Sequence, residues 1–264
     1  MKFILDFIKG ILIGAGAILP GISSGVLCVI FGIYEKLLDS VLNFFKDIPK
    51  NFKFLFPIAL GGFVGVILFS KILQFLLYKY ELQTKSIFIG LILGGVVLLF
   101  KNMDKKEKFK IKNLLYLFIS LAIAALMVYI GKKVGVKEIE NINYIYLIIS
   151  GFLMSIGIVI PGVSNTIILM LLGVYPLYLS SVSTLYFPVL ITMAIGIIFG
   201  CLLFMKIIKY LLDKFYNQTM FLIIGFTLGS IVILIPEIVS INQIFIFITC
   251  ILFGYYSMEL INNY

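Results

Sequence analysis

Long apolar runs alternate along the chain with short polar, lysine-bearing connections. The runs 55–70, 86–100, 114–130, 187–205 and 221–235 approach or reach the roughly 17 to 25 residues that a membrane-spanning helix needs. The pattern predicts a polytopic, all-α membrane protein rather than a single anchor. Two stretches break it. In "AILPGISSGVLCVIFGIYEKLL" (Ala17 to Leu38) and "VIPGVSNTIILMLLGVYPLYL" (Val159 to Leu179), Pro-Gly and hydroxyl residues stand in the middle of apolar sequence.

The two interruptions are copies of one another. A shift of 141 places aligns Gly10 to Val41 with Gly151 to Val182, with eleven of 32 positions identical, among them Pro20/Pro161, Gly21/Gly162, Ser23/Ser164, Gly32/Gly173 and Tyr34/Tyr175. A shift of 135 aligns Ser70 to Gly95 with Met205 to Ser230, with eleven of 26 identical, including Lys71/Lys206 and Gln83-Thr84/Gln218-Thr219. The chain therefore reads as two membrane repeats, 1–131 and 132–264, forming one transport domain. Each is an interrupted element followed by three apolar segments, at 54–78, 85–100 and 113–131, then at 187–211, 219–236 and 243–258.

The lysines indicate how the interrupted element crosses. Cytoplasmic loops carry the excess of basic residues. If the element turns back at Pro-Gly, fifteen lysines collect on one side and six on the other. Straight crossings would instead put the dense loops 46–53 and 101–112 outside. The turn-back predicts inverted-topology repeats with both termini cytoplasmic. Counted from Gly10, the arms are about ten to twelve residues, about half of a 30 Å core. Each interrupted element is thus expected to be a re-entrant helical hairpin. Irregular backbone at that depth is tolerated where it is buried in protein or lines a cavity, so the turns mark a candidate site.

Composition agrees and narrows the chemistry. Of 264 residues, 62% are hydrophobic and 12% charged, and the formal charge is +9. All the basic residues are lysines in short loops, which sets topology rather than marking a nucleic-acid surface. The absence of Arg and His removes bidentate anion clamps and the usual neutral-pH proton shuttle. Cys28, Cys201 and Cys250 lie in apolar runs without ligand-like spacing and read as packing residues. No metal site, cofactor or catalytic group is predicted. Lys2 and the following apolar stretch imitate a secretion signal, but Asp6 and Lys9 interrupt it, so retention is expected.

Pro20-Gly21 and Pro161-Gly162 end one half-helix and start the next. The second arms open with Ser23, Ser24 and Gly25, or with Ser164, Asn165 and Thr166. Free backbone N–H groups, a positive dipole end and short polar side chains form an anion site. Paired discontinuous helices at the midplane are the usual site in inverted-repeat transporters. The competing view is that these residues only cap buried helix ends. Lys71 and Lys206 read first as interfacial snorkellers and second as attractors of an anionic headgroup. Glu35 reads first as an interfacial cap and second as a coupling group. Tyr34 and Tyr175 suit an interfacial aromatic belt.

The stretch "KGILIGAGAILPGISSGVLCVIFGIYEKLLDSV" (Lys9 to Val41) and its echo "SGFLMSIGIVIPGVSNTIILMLLGVYPLYLSSV" (Ser150 to Val182) resemble the bacterial polyprenyl-phosphate transporter family. The family commonly has an acidic residue three places before the first proline, where this chain has Ala17. It also has Gly-Gly-Thr where this chain has Ser24, Gly25 and Val26. The resemblance implies a flippase that returns undecaprenyl phosphate from the outer to the inner leaflet. The phosphate would be held between the hairpin tips, the tail would stay in lipid, and access would alternate. The implied partners are a polyprenyl-phosphate lipid and the bilayer; the oligomeric state is left open. Rival readings are a transporter of a small soluble anion and an undecaprenyl pyrophosphate phosphatase. The phosphatase is disfavoured, since neither tip carries an acid/base or a cationic clamp.

Overall fold

The computed structural model describes residues 2–18, 24–103, 111–133 and 143–262. Its elements are α1 (Lys2–Ile18), α2 (Ser24–Ile30), α3 (Tyr34–Leu42), α4 (Ile48–Lys79), α5 (Glu81–Asn102) and α6 (Ile111–Lys133). They continue with α7 (Tyr144–Val159), α8 (Asn165–Leu171), α9 (Tyr175–Thr184), α10 (Phe187–Lys214), α11 (Tyr216–Leu234) and α12 (Ile241–Asn262). The described residues form helices and their connections, including a 3-10 turn at Phe44–Lys46. Five helices, α4, α5, α6, α10 and α12, contain segments long and apolar enough to cross a membrane. The protein is an all-helical, multi-pass membrane protein. Phe63 and Leu68 of α4, Phe118 of α6, Phe199 of α10 and Phe253 of α12 are exposed, as side chains solvated by lipid are.

Glycines let helices touch along their backbones, and the contact register fixes their directions. A Cβ on Gly10 or Gly14 would collide with the carbonyls of Ile58 or Gly62, and one on Gly61 or Gly65 with those of Phe7 or Ile11. The two registers rise together, so α1 and α4 run parallel. The same reasoning makes α7 parallel to α10 (Gly196 on Ile148, Gly200 on Phe152). It makes α5 parallel to α12 (Gly90 on Ile251, Gly94 on Tyr255) and α6 parallel to α11 (Gly225 on Ser120, Gly229 on Ala124).

The end of α5 meets the start of α11 through the edge-to-face pair Phe100–Phe221, at 5.6 Å between centroids. These two helices form the centre of the bundle and run antiparallel. With the sharp reversals at Tyr80 and Phe215, α1, α4, α6 and α11 point one way, and α5, α7, α10 and α12 the other.

Parallel α1 and α4 require the chain to come back between them. The return is made by α2, and α3 then lies across the end of the bundle. The first arms are longer than the sequence spacing implies: α1 has 17 residues and α7 has 16, about 24–26 Å at 1.5 Å per residue. Counting from Gly10 left out a further two turns of α1, which tolerate Asp6 and Lys9 because both find places inside the protein. The return arms α2 and α8 have seven residues each, about 10 Å.

Both return arms end alike. Gly32 and Gly173 take left-handed φ values of 65° and 70°. Ile33 N donates to Cys28 O and Val174 N to Leu169 O, both at 3.0 Å, the six-to-one bond of a glycine-terminated helix. In both halves a side chain from the first arm donates to the carbonyl one residue before that glycine. Lys9 Nζ reaches Phe31 O at 3.4 Å, and the Tyr146 hydroxyl reaches Leu172 O at 2.6 Å.

The Gln-Thr pairs shared by the halves also have a structural role. Thr84 Oγ1 donates to Leu76 O at 3.3 Å, and Thr219 Oγ1 lies 3.1 Å from Leu211 O and 2.9 Å from Phe215 O. Each threonine secures the last turn of the preceding long helix.

Candidate functional site

The second hairpin is described throughout. α7 ends at Val159, and Pro161-Gly162 make the turn, with Gly162 at φ 84°. No room exists for a side chain there: a Cβ on Gly162 would strike the backbone of Phe226 and Thr227 in α11. Glycine is required both for the left-handed conformation and for the close approach. Pro161 and Gly162 are buried, and Ser164, Asn165 and Thr166 are half-buried.

The polar residues at this tip currently satisfy the helix themselves. Ser164 Oγ accepts from Ile167 N at 3.4 Å, and Asn165 Oδ1 accepts from Thr166 N at 2.8 Å and from the Thr166 hydroxyl at 3.4 Å. The Thr166 and Ile167 N–H groups, expected to be free, are thus covered by the side chains of Asn165 and Ser164, which an anion would have to displace. The gap beside the tip, lined by Gly162, Ser164, Phe226, Ser230 and residues of α6, is about 10 Å³. That is about the space of one water, so this tip is closed.

Sequence reasoning missed one residue here. Thr227, 1% exposed, carries the one buried side-chain polar atom without a hydrogen-bond partner among the described residues. Its carbonyl accepts from the Ser230 hydroxyl at 2.7 Å, and its backbone abuts Gly162. Leaving a buried hydroxyl unpaired costs about 1–3 kcal/mol. The aligned position in the first half is Ile92, so the repeat comparison discarded it.

Of the first hairpin's candidates, Pro20, Gly21 and Ser23 lie outside the described residues. Ser24 opens α2 half-buried, and Gly25 is buried. The two hairpins are neighbours: α2 packs on α7, and the Tyr34 hydroxyl donates to Val159 O at 2.7 Å. Tyr34 is 6% exposed, so it joins hairpins inside the protein instead of lying in an interfacial belt.

None of the outlying candidates lines the gap at the second tip. Glu35 is exposed in the first turn of α3, beside Tyr216. Lys206 is exposed on α10, and Lys71 belongs to α4. Their neighbour Lys209 makes the contact that sequence did not foresee, bridging Asp39 of α3 at 3.1 Å and Asp213 at 2.9 Å.

An apolar cavity of about 420 Å³ runs from the α4–α5 turn to the first hairpin. It is lined by Tyr80, Gln83, Thr84 and Ile87 at one end and by Leu12, Ala15, Leu27 and Ile30 at the other. The halves differ here. α3 packs on α10 of the other half, whereas α9 packs on α8 and α10 of its own.

Residues 13–245 match the family model described as VCA0040-like, undecaprenyl phosphate translocase-like. The chain belongs to this family. It is 29% identical over 245 residues to the polyprenyl-phosphate transporter of Vibrio cholerae serotype O1, covering 88% of this chain and 77% of that one. It is 29% identical over 262 residues to the polyprenyl-phosphate transporter of Staphylococcus aureus, covering 94% and 92%. No solved structure matches significantly. The translocase-like family and these relatives are transporters, not enzymes, and the chain is a transporter with them.

Proposed function

We propose that this protein moves a polyprenyl phosphate, specifically undecaprenyl phosphate, from the outer to the inner leaflet of the bacterial cytoplasmic membrane. The observation that carries the reading is the buried turn at Pro161-Gly162. It presents Ser164, Asn165 and Thr166 at a helix start, with Gly162 against the backbone of Thr227, whose hydroxyl is unpaired, in a chain of this family. Hydroxyls, an amide and backbone N–H groups hold phosphate without arginine when the site is dry. Ser24 and Gly25, with Pro20, Gly21 and Ser23 outside the described residues, are the counterparts on the first hairpin. Lys71 and Lys206 attract the headgroup at most from a distance, and Glu35 remains a candidate coupling group.

The reading treats 1–131 and 132–264 as inverted repeats, with re-entrant hairpins entering from opposite faces and both termini cytoplasmic. Support comes from the opposed directions of α1 and α7, α4 and α10, α5 and α11, and α6 and α12. On this reading Asp39 and Lys209, which tie α3 to α10, close the path to the tips from the α3 side, and the apolar cavity that reaches the first hairpin is the path from the opposite side. Exchange of these roles between α3 and α9 is the alternation of access.

The test is reconstitution in liposomes with a fluorescent short-chain polyprenyl phosphate and an external quencher. Faster exchange than in empty liposomes, abolished by Ser23→Ala/Ser164→Ala in folded protein, is the expected result. No exchange with a pH gradient and a membrane potential supplied overturns the proposal.

A further inference from the structure

A cavity of about 590 Å³ lies on the α3 side, well away from the hairpin turns. It is enclosed by the start of α1, by α3, and by the start of α4, and five lysines line it: Lys2, Lys36, Lys46, Lys50 and Lys53. Three aspartates share the lining, but two are already engaged. Asp47 caps α4 by accepting from Lys50 N at 3.2 Å, and Asp39 is bridged by Lys209. The third, Asp6, is 7% exposed. A backbone hydrogen bond leaves Asp47 charged, and Lys209 is shared with Asp213, so five ammonium groups face three carboxylates and the lining keeps a surplus of two positive charges.

Nothing in the architecture requires these charges, because the second half builds the same elements without them. The positions aligned with Lys2, Asp6, Lys36 and Asp39 are Asn143, Leu147, Leu177 and Ser180, and Pro188 stands opposite Lys53. Leu147 is buried at 2% exposure, so an ordinary apolar contact in one half is replaced by a buried carboxylate in the other. A general lysine excess sets topology from any loop, but it does not call for a walled cavity or for Asp6 inside it. Lys36 lies 3.8 Å above the Phe54 ring, and partial burial together with the nearby Lys2 ammonium lowers its pKa. An anion beside the ammonium opposes that shift.

We propose that this cavity is a second anion site, separate from the hairpin tips, which takes a phosphate monoester group through Lys36, Lys50 and their neighbouring lysines. A monoester carries about −1.5 to −2 at neutral pH, which matches the surplus of ammonium groups. The group comes either on a membrane lipid or as free phosphate, and the chemistry of capture is the same. The inference does not depend on what the hairpins carry.

Amine-reactive labelling, read lysine by lysine by mass spectrometry, tests it on the full-length protein in phosphatidylcholine nanodiscs. One arm adds phosphatidic acid, one adds inorganic phosphate, and one adds chloride at matched ionic strength. Phosphatidic acid is expected to slow labelling of Lys36 and Lys50 about fivefold or more, while Lys79 and Lys214 keep their rates. Protection by phosphate as well supports a site for the free group; protection by phosphatidic acid alone supports a lipid headgroup. The Ser164→Ala variant is expected to retain the protection, and Lys36→Gln/Lys50→Gln to lose it at Lys2, Lys46 and Lys53. Uniform slowing at all lysines, slowing by chloride alone, or no protection in wild-type protein overturns the proposal.

Discussion

The Tyr34 hydroxyl, at the start of α3, donates to the carbonyl of Val159, the last residue of α7, at 2.7 Å. One side chain thus joins the return of the first hairpin to the turn of the second, 125 residues away. Tyr34→Phe keeps the ring and removes the bond, leaving the Val159 carbonyl short of a donor inside the protein. The expected loss is about 1–2 kcal/mol, read from unfolding in detergent. Transport is expected to fall more than stability, because the bond sets the position of a turn.

Thr227 separates function from folding. Thr227→Val replaces an unpaired buried hydroxyl with a methyl of the same shape, so stability is expected to hold or to rise by about 1 kcal/mol. If the hydroxyl belongs to the phosphate site, lipid exchange falls about tenfold in the same sample. Unchanged exchange would remove Thr227 from the site.

Gly162→Ala places a Cβ in a left-handed residue and against the backbone of Phe226 and Thr227. The expected cost is about 2 kcal/mol or more, measured as a fall in the thermal midpoint. Gly173→Ala, with strain but another setting, is expected to cost about 1 kcal/mol.

The Asp39–Lys209 bridge is half-exposed, with side-chain exposures of 47% and 28%, so its removal costs about 1 kcal/mol or less. Its effect should appear in access instead. In a Leu38→Cys background lacking native cysteines, Asp39→Asn is expected to speed maleimide labelling severalfold. Asp39→Glu, which keeps a carboxylate within reach of Lys209, should keep the slow rate.

The sequence was informative where physics repeats. The paired Pro-Gly turns, the three following apolar segments and the hydroxyl residues after each turn all lay in aligned positions. Identity between the halves marked Gly32 and Gly173 without saying that they end the return arms, and marked Thr84 and Thr219 without saying that they secure a helix end. What the sequence hid was what the halves do not share. Thr227 aligns with Ile92, Asp6 with Leu147, and Asp39 with Ser180, so likeness between the halves gives none of them a partner or a place. Tyr34 shows a second limit: a tyrosine near the end of an apolar run fits an interface, and only the fold reveals that its hydroxyl is taken by another segment. The self-capping of Ser164 and Asn165 was equally out of reach, because the same residue types serve a helix and an anion alike.

The contact of α1 with α4 has a mechanical consequence. Where Gly10 and Gly14 lie on the backbone of Ile58 and Gly62, no layer of side chains separates the helices, and there is nothing soft to shear. The 32 residues of α4 extend about 48 Å and carry the first hairpin rigidly along their lower portion, as a boom carries its load. Any swing of α4 against α5 therefore takes α1 with it, as one body.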